Sequence, residues 1–335
     1  MSDIREVARR AKVSLGTVSN VLNHPELVSE ETRMRVQHTI DELGFVRNGS
    51  ARHLRVGYTQ SIGLVVLDVS NPFFTEVARG AEDAASERGY IVILCNSDNS
   101  PRKEMNYLRV LEEQRVAGIL IVPIEDQANY ARPLRRSGTS LVLLDRVSHE
   151  ANTCSVSVDD VYGGELAGRH LLELGHRRIA YIHGPFTSAQ YADRLSGLRR
   201  AVIEAGLDPD RAIVPLAAET DNAHAGAACA EAFLQLEDFP TAIFCGNDYL
   251  AMGVMYELAR RQVAVPQEVA LIGYDDIDLA SMLAVPLTTI RQPKYDLGFA
   301  ATDLLLDEIV NKASHTHRQI VFRPELIVRQ STGVR

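Results

Sequence analysis

Beyond about residue 60 the chain repeats one pattern, a short continuous apolar run followed by an amphipathic segment. Ile62–Val69, Tyr90–Leu94, Gly118–Val122, Ser140–Leu144, Ile179–Ile182, Ala242–Cys245, Val269–Ile272 and Thr288–Arg291 read as strands. Thr75–Arg88, Lys103–Gln114, Tyr162–Leu174, Ala189–Ala205, Ala223–Leu236, Leu250–Arg261 and Tyr295–Asn311 read as helices. Strands that are apolar throughout, rather than alternating, are buried on both faces, and helices between them imply parallel sheets. So many strands crowd a single sheet, so two α/β subdomains are expected. Ligands of such sheets bind at the carboxyl ends of the strands, and two facing subdomains make a cleft there.

The first 45 residues have a helical period instead. Ile4, Val7, Ala8 and Ala11 make one apolar stripe. After a break at Lys12-Val13, Ser14 can cap a second helix with Val18, Val21 and Leu22 inward. Asn23-His24-Pro25 ends it, since the residue before proline disfavours helix. Ser29 can cap a third helix, with Glu30 and Glu31 at its positive end and Val36, Ile40 and Leu43 inward, and Gly44 stops it. Helix, tight turn, helix is the helix-turn-helix arrangement, which lays its second helix in the DNA major groove. On pattern alone a protein-docking module of three small helices stays open.

The whole-chain net charge of −9 argues against nucleic acid, but it averages two unlike parts. Residues 1–57 carry nine basic and seven acidic side chains, or +2, and the remainder carries −11. No acid lies between Gly44 and Val66, where Arg47, Arg52 and Arg55 fall.

Other classes drop out. No apolar run is long enough to span a membrane, and the N-terminus lacks the basic-then-apolar pattern of a secretory signal, so a cytoplasmic protein is expected. Cys95, Cys154, Cys229 and Cys245 form no CxxC and read as buried inert thiols. His315-x-His317 lies in a polar stretch with no third ligand nearby, so a solvated loop is expected there, and no metal or cofactor. Neither a GxSxG elbow nor a GxxxxGK[ST] phosphate loop occurs, and no enzyme is expected.

Ile4-Arg5-Glu6-Val7-Ala8, Ala11-Lys12-Val13-Ser14, Thr17-Val18-Ser19-Asn20-Val21-Leu22-Asn23 and Val28-Ser29-Glu30-Glu31-Thr32-Arg33 strongly resemble the lactose/galactose repressor (LacI/GalR) family. Gly44-Phe45-Val46-Arg47-Asn48 and Ala51-Arg52-His53-Leu54 resemble its hinge. Through the body the resemblance runs over Ser70-Asn71-Pro72-Phe73-Phe74, Leu174-Gly175-His176, Gly246-Asn247-Asp248, Ile272-Gly273-Tyr274-Asp275 and Leu287-Thr288-Thr289-Ile290. It implies a small all-α helix-turn-helix head plus an α/β body of two parallel-sheet subdomains of periplasmic-binding-protein type. The head would take 1–46, a hinge helix or linker 47–58, and an effector-binding and dimerisation body 59–335. Within the body one subdomain would take about 59–160 and 292–319, the other about 161–291 and 320–335.

The resemblance also implies roles. Leu15, Gly16 and Asn20 match base-reading positions; Asn20 can bond adenine and Leu15 can touch a thymine methyl, while Gly16 reads nothing. Ser14, Thr17, Ser19 and Asn23 complete the expected DNA-binding face, with Thr17 and Ser19 suited to phosphates. Leu54 would wedge into the minor groove, or anchor an ordinary linker, and Arg52 and Arg55 would offset phosphate charge. Asp145, Arg194, Asn247, Asp275 and Gln292 match effector-contacting positions of sugar-responsive members; Asp68, Asn71, Phe73 and Phe74 join them at the cleft. At least one of the two phenylalanines is expected to be core. Asp68 also reads as a satisfied turn carboxylate, and Asp248 as either helix cap or ligand contact.

Carboxylates, an amide and an arginine around aromatic faces suit a polar ligand, and without tryptophan the platform must be Phe or Tyr. A sugar is the first reading of the effector. A nucleoside or purine is the second, although Ser188 and Gln190 match the purine-responsive pattern poorly. A phosphoprotein corepressor is the third. The implied protein is a homodimeric regulator, expected to repress, on a pseudo-palindromic DNA operator, with effector shifting the DNA-competent population. No leucine heptad follows Val328-Arg329-Gln330, so no tetramer is expected. A sugar-binding protein that does not touch DNA is the alternative of another class.

Overall fold

The computed structural model describes residues 3–45, 59–124, 134, 138–148, 150–185, 189–238 and 240–333. The expected hinge, with Arg52, Leu54 and Arg55, lies outside the described residues, as does Ser188. Two compact units result, residues 1–59 and 60–335.

Among its described residues the first unit has three α-helices, α1 (Ile4–Arg10), α2 (Leu15–Asn23) and α3 (Glu30–Leu43). Asp3 caps α1, Lys12 turns the chain with a positive φ of 56°, and the Ser14 hydroxyl accepts from the Thr17 amide at 3.0 Å to cap α2. Ser29 holds the N-cap position of α3 but does not cap it. Its hydroxyl donates to Thr32 Oγ1 at 3.0 Å instead, which corrects the expected cap. Gly44 ends α3 with φ 55°, a left-handed conformation that a side chain would strain. Val7, Ala8, Ala11, Val18, Val21, Val36 and Ile40 form the core.

The second unit has two six-stranded sheets. The first runs β11-β5-β4-β3-β1-β2, from β1 (Ser61–Val66), β2 (Ile91–Asn96), β3 (Gly118–Ile121), β4 (Ser140–Leu144), β5 (Cys154–Val158) and β11 (Gln319–Phe322), all parallel. The second runs β12-β10-β9-β8-β6-β7, from β6 (Ile179–His183), β7 (Ile213–Ala217), β8 (Ala242–Cys245), β9 (Ala270–Asp275), β10 (Thr288–Arg291) and β12 (Glu325–Ile327). Among these described strands only β12 is antiparallel to its neighbour. The longer described helices are α4 (Pro72–Ser86), α5 (Pro101–Glu113), α6 (Asp160–Glu173), α7 (Ala189–Glu204), α8 (Ala223–Leu234), α9 (Asp248–Arg260) and α10 (Lys294–Val310). Among the described residues no helix is long and apolar enough to cross a membrane.

The chain passes between the lobes three times: after β5 into α6, after β10 into α10, and after β11 into β12. Because β11 pairs with β5, the first lobe keeps residues up to Phe322, correcting the boundary expected at 319. Four strands escaped the sequence pattern. Three of them, β7, β11 and β12, lie at sheet edges, and β7 carries Pro215, which an edge tolerates. The fourth, β5, alternates serine with apolar residues yet is buried throughout.

Helix pairs approach closely through glycine. A Cβ on Gly298 of α10 would stand 1.9 Å from the Val77 carbonyl oxygen of α4, and one on Gly80 of α4 would stand 2.1 Å from that of Tyr295. Gly298→Ala is therefore expected to destabilise the chain by about 1–3 kcal/mol, the usual cost of overpacking. At Gly16 the nearest atom to an added Cβ is 3.6 Å away, so Gly16→Ala should stabilise the head by about 0.4–1 kcal/mol. Urea unfolding of the two variants checks both signs.

Candidate functional site

In the head, α2 turns Val18 and Val21 inward, which leaves Leu15, Gly16 and Asn20 on the outer surface. Leu15 is 46% exposed although it is apolar. The Asn23 side-chain amide donates to the Ser19 carbonyl at 2.8 Å and to its hydroxyl at 3.2 Å. Thr17 shares a 2.9 Å hydroxyl contact with Ser14. One helix and its cap therefore gather the predicted residues Ser14 to Asn23 on a short surface.

In the body, Asp68, Asn71, Phe73, Phe74, Asp145, Arg194, Asn247, Asp275 and Gln292 all line one cleft, enclosing about 520 Å³ including space open to solvent. They meet because each follows the carboxyl end of a strand or sits in the first turns of the next helix. Asp68 accepts from the Ser70 amide at 2.9 Å, so it is the turn carboxylate and also lines the cleft. Asn71 caps α4 by accepting from the Phe73 amide at 2.9 Å. Phe73 and Phe74 meet edge-to-face, centroids 5.0 Å apart, and both are buried as well as cleft-lining.

Arg194 is the best-held member. Its Nε donates to Asp160 Oδ1 at 2.8 Å and its Nη1 to the Gly246 carbonyl at 2.5 Å, while its guanidinium lies 3.6 Å from the Tyr274 ring centre. The helix carrying it packs so tightly on α6 that a Cβ on Gly197 would stand 1.9 Å from the Val161 carbonyl oxygen. Asn247, not Asp248, caps α9, accepting from the Leu250 amide at 2.7 Å. Asp248 faces inward and accepts from Thr289 Oγ1 at 2.7 Å and the Ile277 amide at 2.9 Å, so it serves neither of the roles left open for it.

Gln190 and Tyr249 of the second lobe hydrogen-bond across the cleft, Gln190 also to the Asp145 carbonyl at 3.0 Å. Gln190 Nε2 donates to Asp145 Oδ2 at 2.9 Å, and the Tyr249 hydroxyl donates to the Ser70 carbonyl at 2.7 Å. Gln292 Nε2 donates to Asp275 Oδ1 at 2.7 Å. After these are counted, Asp145 Oδ1 and Gln292 Oε1 are buried acceptors without a donor among the described residues, and so is Asp221 Oδ1, although the Tyr191 hydroxyl serves the Asp221 carboxyl. Leaving such a group unpaired costs about 1–3 kcal/mol, so these acceptors call for donors from water or from a ligand in the cleft.

The carboxyls register the same shortage. Burial pushes Asp145 up to about 7, with Asp160 adding to the shift and Arg194 opposing it. Burial pushes Asp275 up to about 6 against Arg194 and the Gln292 hydrogen bond. Burial also raises Asp221.

Tyr191, Asp221 and Asn99 line the cleft but were not singled out in the sequence. Tyr191 was within reach, since it lies beside Gln190 and one turn before Arg194 on α7. Asp221 follows β7, the strand hidden by its proline. The His315-x-His317 loop also needs correction: the His315 side chain is only 1% exposed, and Cys154 and Glu308 stand beside it.

Residues 3–48 match the family model described as bacterial regulatory proteins, lacI family, and residues 169–332 match a periplasmic binding protein-like domain. The chain is 35% identical over 333 residues to the HTH-type transcriptional repressor PurR of Photobacterium profundum, covering 99% of this chain and 98% of that one. The chain belongs to the lacI family of bacterial regulatory proteins. This lacI-family member is a DNA-binding transcriptional repressor, and its relatives are regulators rather than enzymes. The lac repressor dimer bound to operator and the anti-inducer ONPF matches it with a TM-score of 0.86 at 26% identity, covering 99% of each chain. A LacI family transcriptional regulator from Enterococcus faecium with bound ribose matches with a TM-score of 0.75 at 29% identity, over 82% of this chain and 99% of that one.

The raised carboxyls give a pH dependence with a definite sign. Unfolded, Asp145 and Asp275 release their protons near the ordinary 3.8; folded and ligand-free, they hold them to about 7 and about 6. The native state therefore binds more protons in that interval, and its stability falls as pH rises from about 4 to about 7. Melting curves of the ligand-free full chain should show Asp145→Asn losing less Tm than the parent across this window, and melting higher at pH 8.

Proposed function

We propose that this repressor's hold on its operator is set by a neutral, hydroxyl-rich effector, a monosaccharide first, bound in the cleft by Asp145, Arg194, Asp275 and Gln292 against Phe73 and Phe74. The observation that carries this reading is the set of three donorless buried acceptors reaching the cleft from both lobes. Sugar hydroxyls donate in several directions at once, and a sugar's C–H face stacks on an aromatic ring. The ribose-bound relative from Enterococcus faecium supports the class. A purine is the second reading, favoured by the PurR relatives. Against it, Gln190 Nε2 is committed to both the carboxylate and the carbonyl of Asp145.

A ligand that satisfies acceptors from both lobes stabilises one lobe arrangement over another, and that differential affinity is what shifts DNA binding. Two copies of the chain would present two α2 helices to the half-sites of a pseudo-palindromic operator. Leu54, Arg52 and Arg55 would meet the minor groove and phosphates between them. Leu15, Gly16 and Asn20 would face bases, with Ser14, Thr17, Ser19 and Asn23 beside them.

Thermal-shift screening of the full chain against monosaccharides and purines tests the effector class. A Tm rise with a purine and none with any sugar overturns the first reading. Asp275→Ala is expected to abolish the effector's influence in a gel-shift assay while leaving operator binding intact. Leu54→Ala is expected to weaken specific operator binding without changing the melting of the body; unchanged operator affinity sinks the hinge role.

A further inference from the structure

We propose that Cys154, Glu308, His315 and His317 form a closed zinc site at the end of the first lobe remote from the cleft. One ligand atom from each of the four residues lies within 4.8 Å of every other. Cys154 Sγ stands 3.2 Å from His315 Nε2 and 3.6 Å from His317 Nδ1. Glu308 Oε2 stands 4.0 Å from His315 Nε2 and 3.9 Å from His317 Nδ1. Four ligands at about 2.0–2.3 Å from a tetrahedral zinc ion are themselves about 3.3–3.6 Å apart. The four separations above already lie between 3.2 and 4.0 Å, so the cluster has to contract around an ion rather than rearrange.

Four further observations separate this from a chance polar cluster. Glu308 Oε2 is buried and has no hydrogen-bond partner among the described residues, although two imidazole nitrogens are near it. A cation among them would answer that acceptor. The other nitrogen of the His315 ring, Nδ1, meets Asp307 Oδ2 at 2.7 Å, the carboxylate–histidine arrangement that orients an imidazole toward a metal. The Arg318 amide donates to Cys154 Sγ at 3.4 Å, which helps fix where the sulfur points. The His315 side chain is buried in spite of its polar sequence surroundings.

The ligand types select the ion. Sulfur and two imidazoles disfavour calcium and magnesium, which take oxygen, and suit zinc. Four protein ligands leave no open position, the pattern of a structural rather than a catalytic site. Cys154 opens β5, Glu308 lies near the end of α10, and both histidines lie in the connection from α10 to β11. An ion here would fasten that connection to the first residue of the strand with which β11 pairs.

The test uses the full chain without an affinity tag, stripped of metal by chelator and dialysed. Zinc is expected to bind with one equivalent per chain and to raise Tm. Cobalt(II) as a probe is expected to give the strong visible bands of a tetrahedral site together with a near-ultraviolet thiolate-to-metal band. Cys154→Ser should remove the thiolate band. His317→Ala, the more exposed ligand and the milder change, should weaken binding while sugar binding in the cleft is unchanged. Asp307→Asn should weaken zinc binding by about 10–100-fold without removing a ligand. Absence of saturable uptake, cobalt spectra lacking a thiolate band, or uptake indifferent to His317→Ala and Cys154→Ser each overturns the proposal. Circular dichroism of every variant confirms that a loss of binding is not a loss of fold.

Discussion

The buried pair of Arg194 and Asp160 is the interaction on which the cleft depends. Both side chains are 6% exposed, so each has given up its water, and either alone would be an uncompensated charge in the interior. The pair is completed by the Gly246 carbonyl and the Tyr274 ring, so one guanidinium joins α6, α7, the end of β8 and β9. Asp160 begins the helix that receives the chain from the first lobe. Gln190 and Tyr191 ride on the helix that carries Arg194. The second lobe's wall of the cleft is thus fixed by one hydrogen-bonded charge pair and by the glycines that let its helices close on each other.

The rest of the cleft is arranged in the opposite way. Around the satisfied arginine stand acceptors that the protein does not satisfy, at Asp145, Asp221 and Gln292. They belong to different lobes and to the crossing between them, joined across the gap by the Gln190–Asp145 hydrogen bond. A rigid, fully paired cleft would leave an effector nothing to change. On the proposed reading, unpaired acceptors on both sides would make lobe arrangement and ligand occupancy parts of one equilibrium.

The sequence conveyed the cleft well because its residues follow apolar runs, and a strand's carboxyl end is visible in the pattern. Asp68 and Asp145 could be placed this way, whereas Asp275 and Gln292 were reached only through the family resemblance. Asp221 could not, because Pro215 and an edge position disguise the strand before it. Which acceptors lack donors was not legible at all, since Gln190 meets Asp145 only after two lobes have folded. Distance along the chain also hid the histidine loop's surroundings, as Cys154 lies 161 residues before His315. At α9 the sequence left Asp248 open between cap and ligand contact, and the structure gives the cap to Asn247 while Asp248 is held by Thr289 and Ile277.

The threefold passage of the chain between lobes bears on how the molecule is made. The first sheet lacks β11, and the helix α10 that covers β3, β4 and β5, until nearly the whole second lobe has been synthesised. The second sheet likewise waits for β12. On the ribosome neither lobe can be finished before the other, and both close on the last few tens of residues. The head has no such dependence, since its core draws only on the first 45 residues. A nascent chain therefore carries a completed helix-turn-helix well before it possesses the cleft that would govern it.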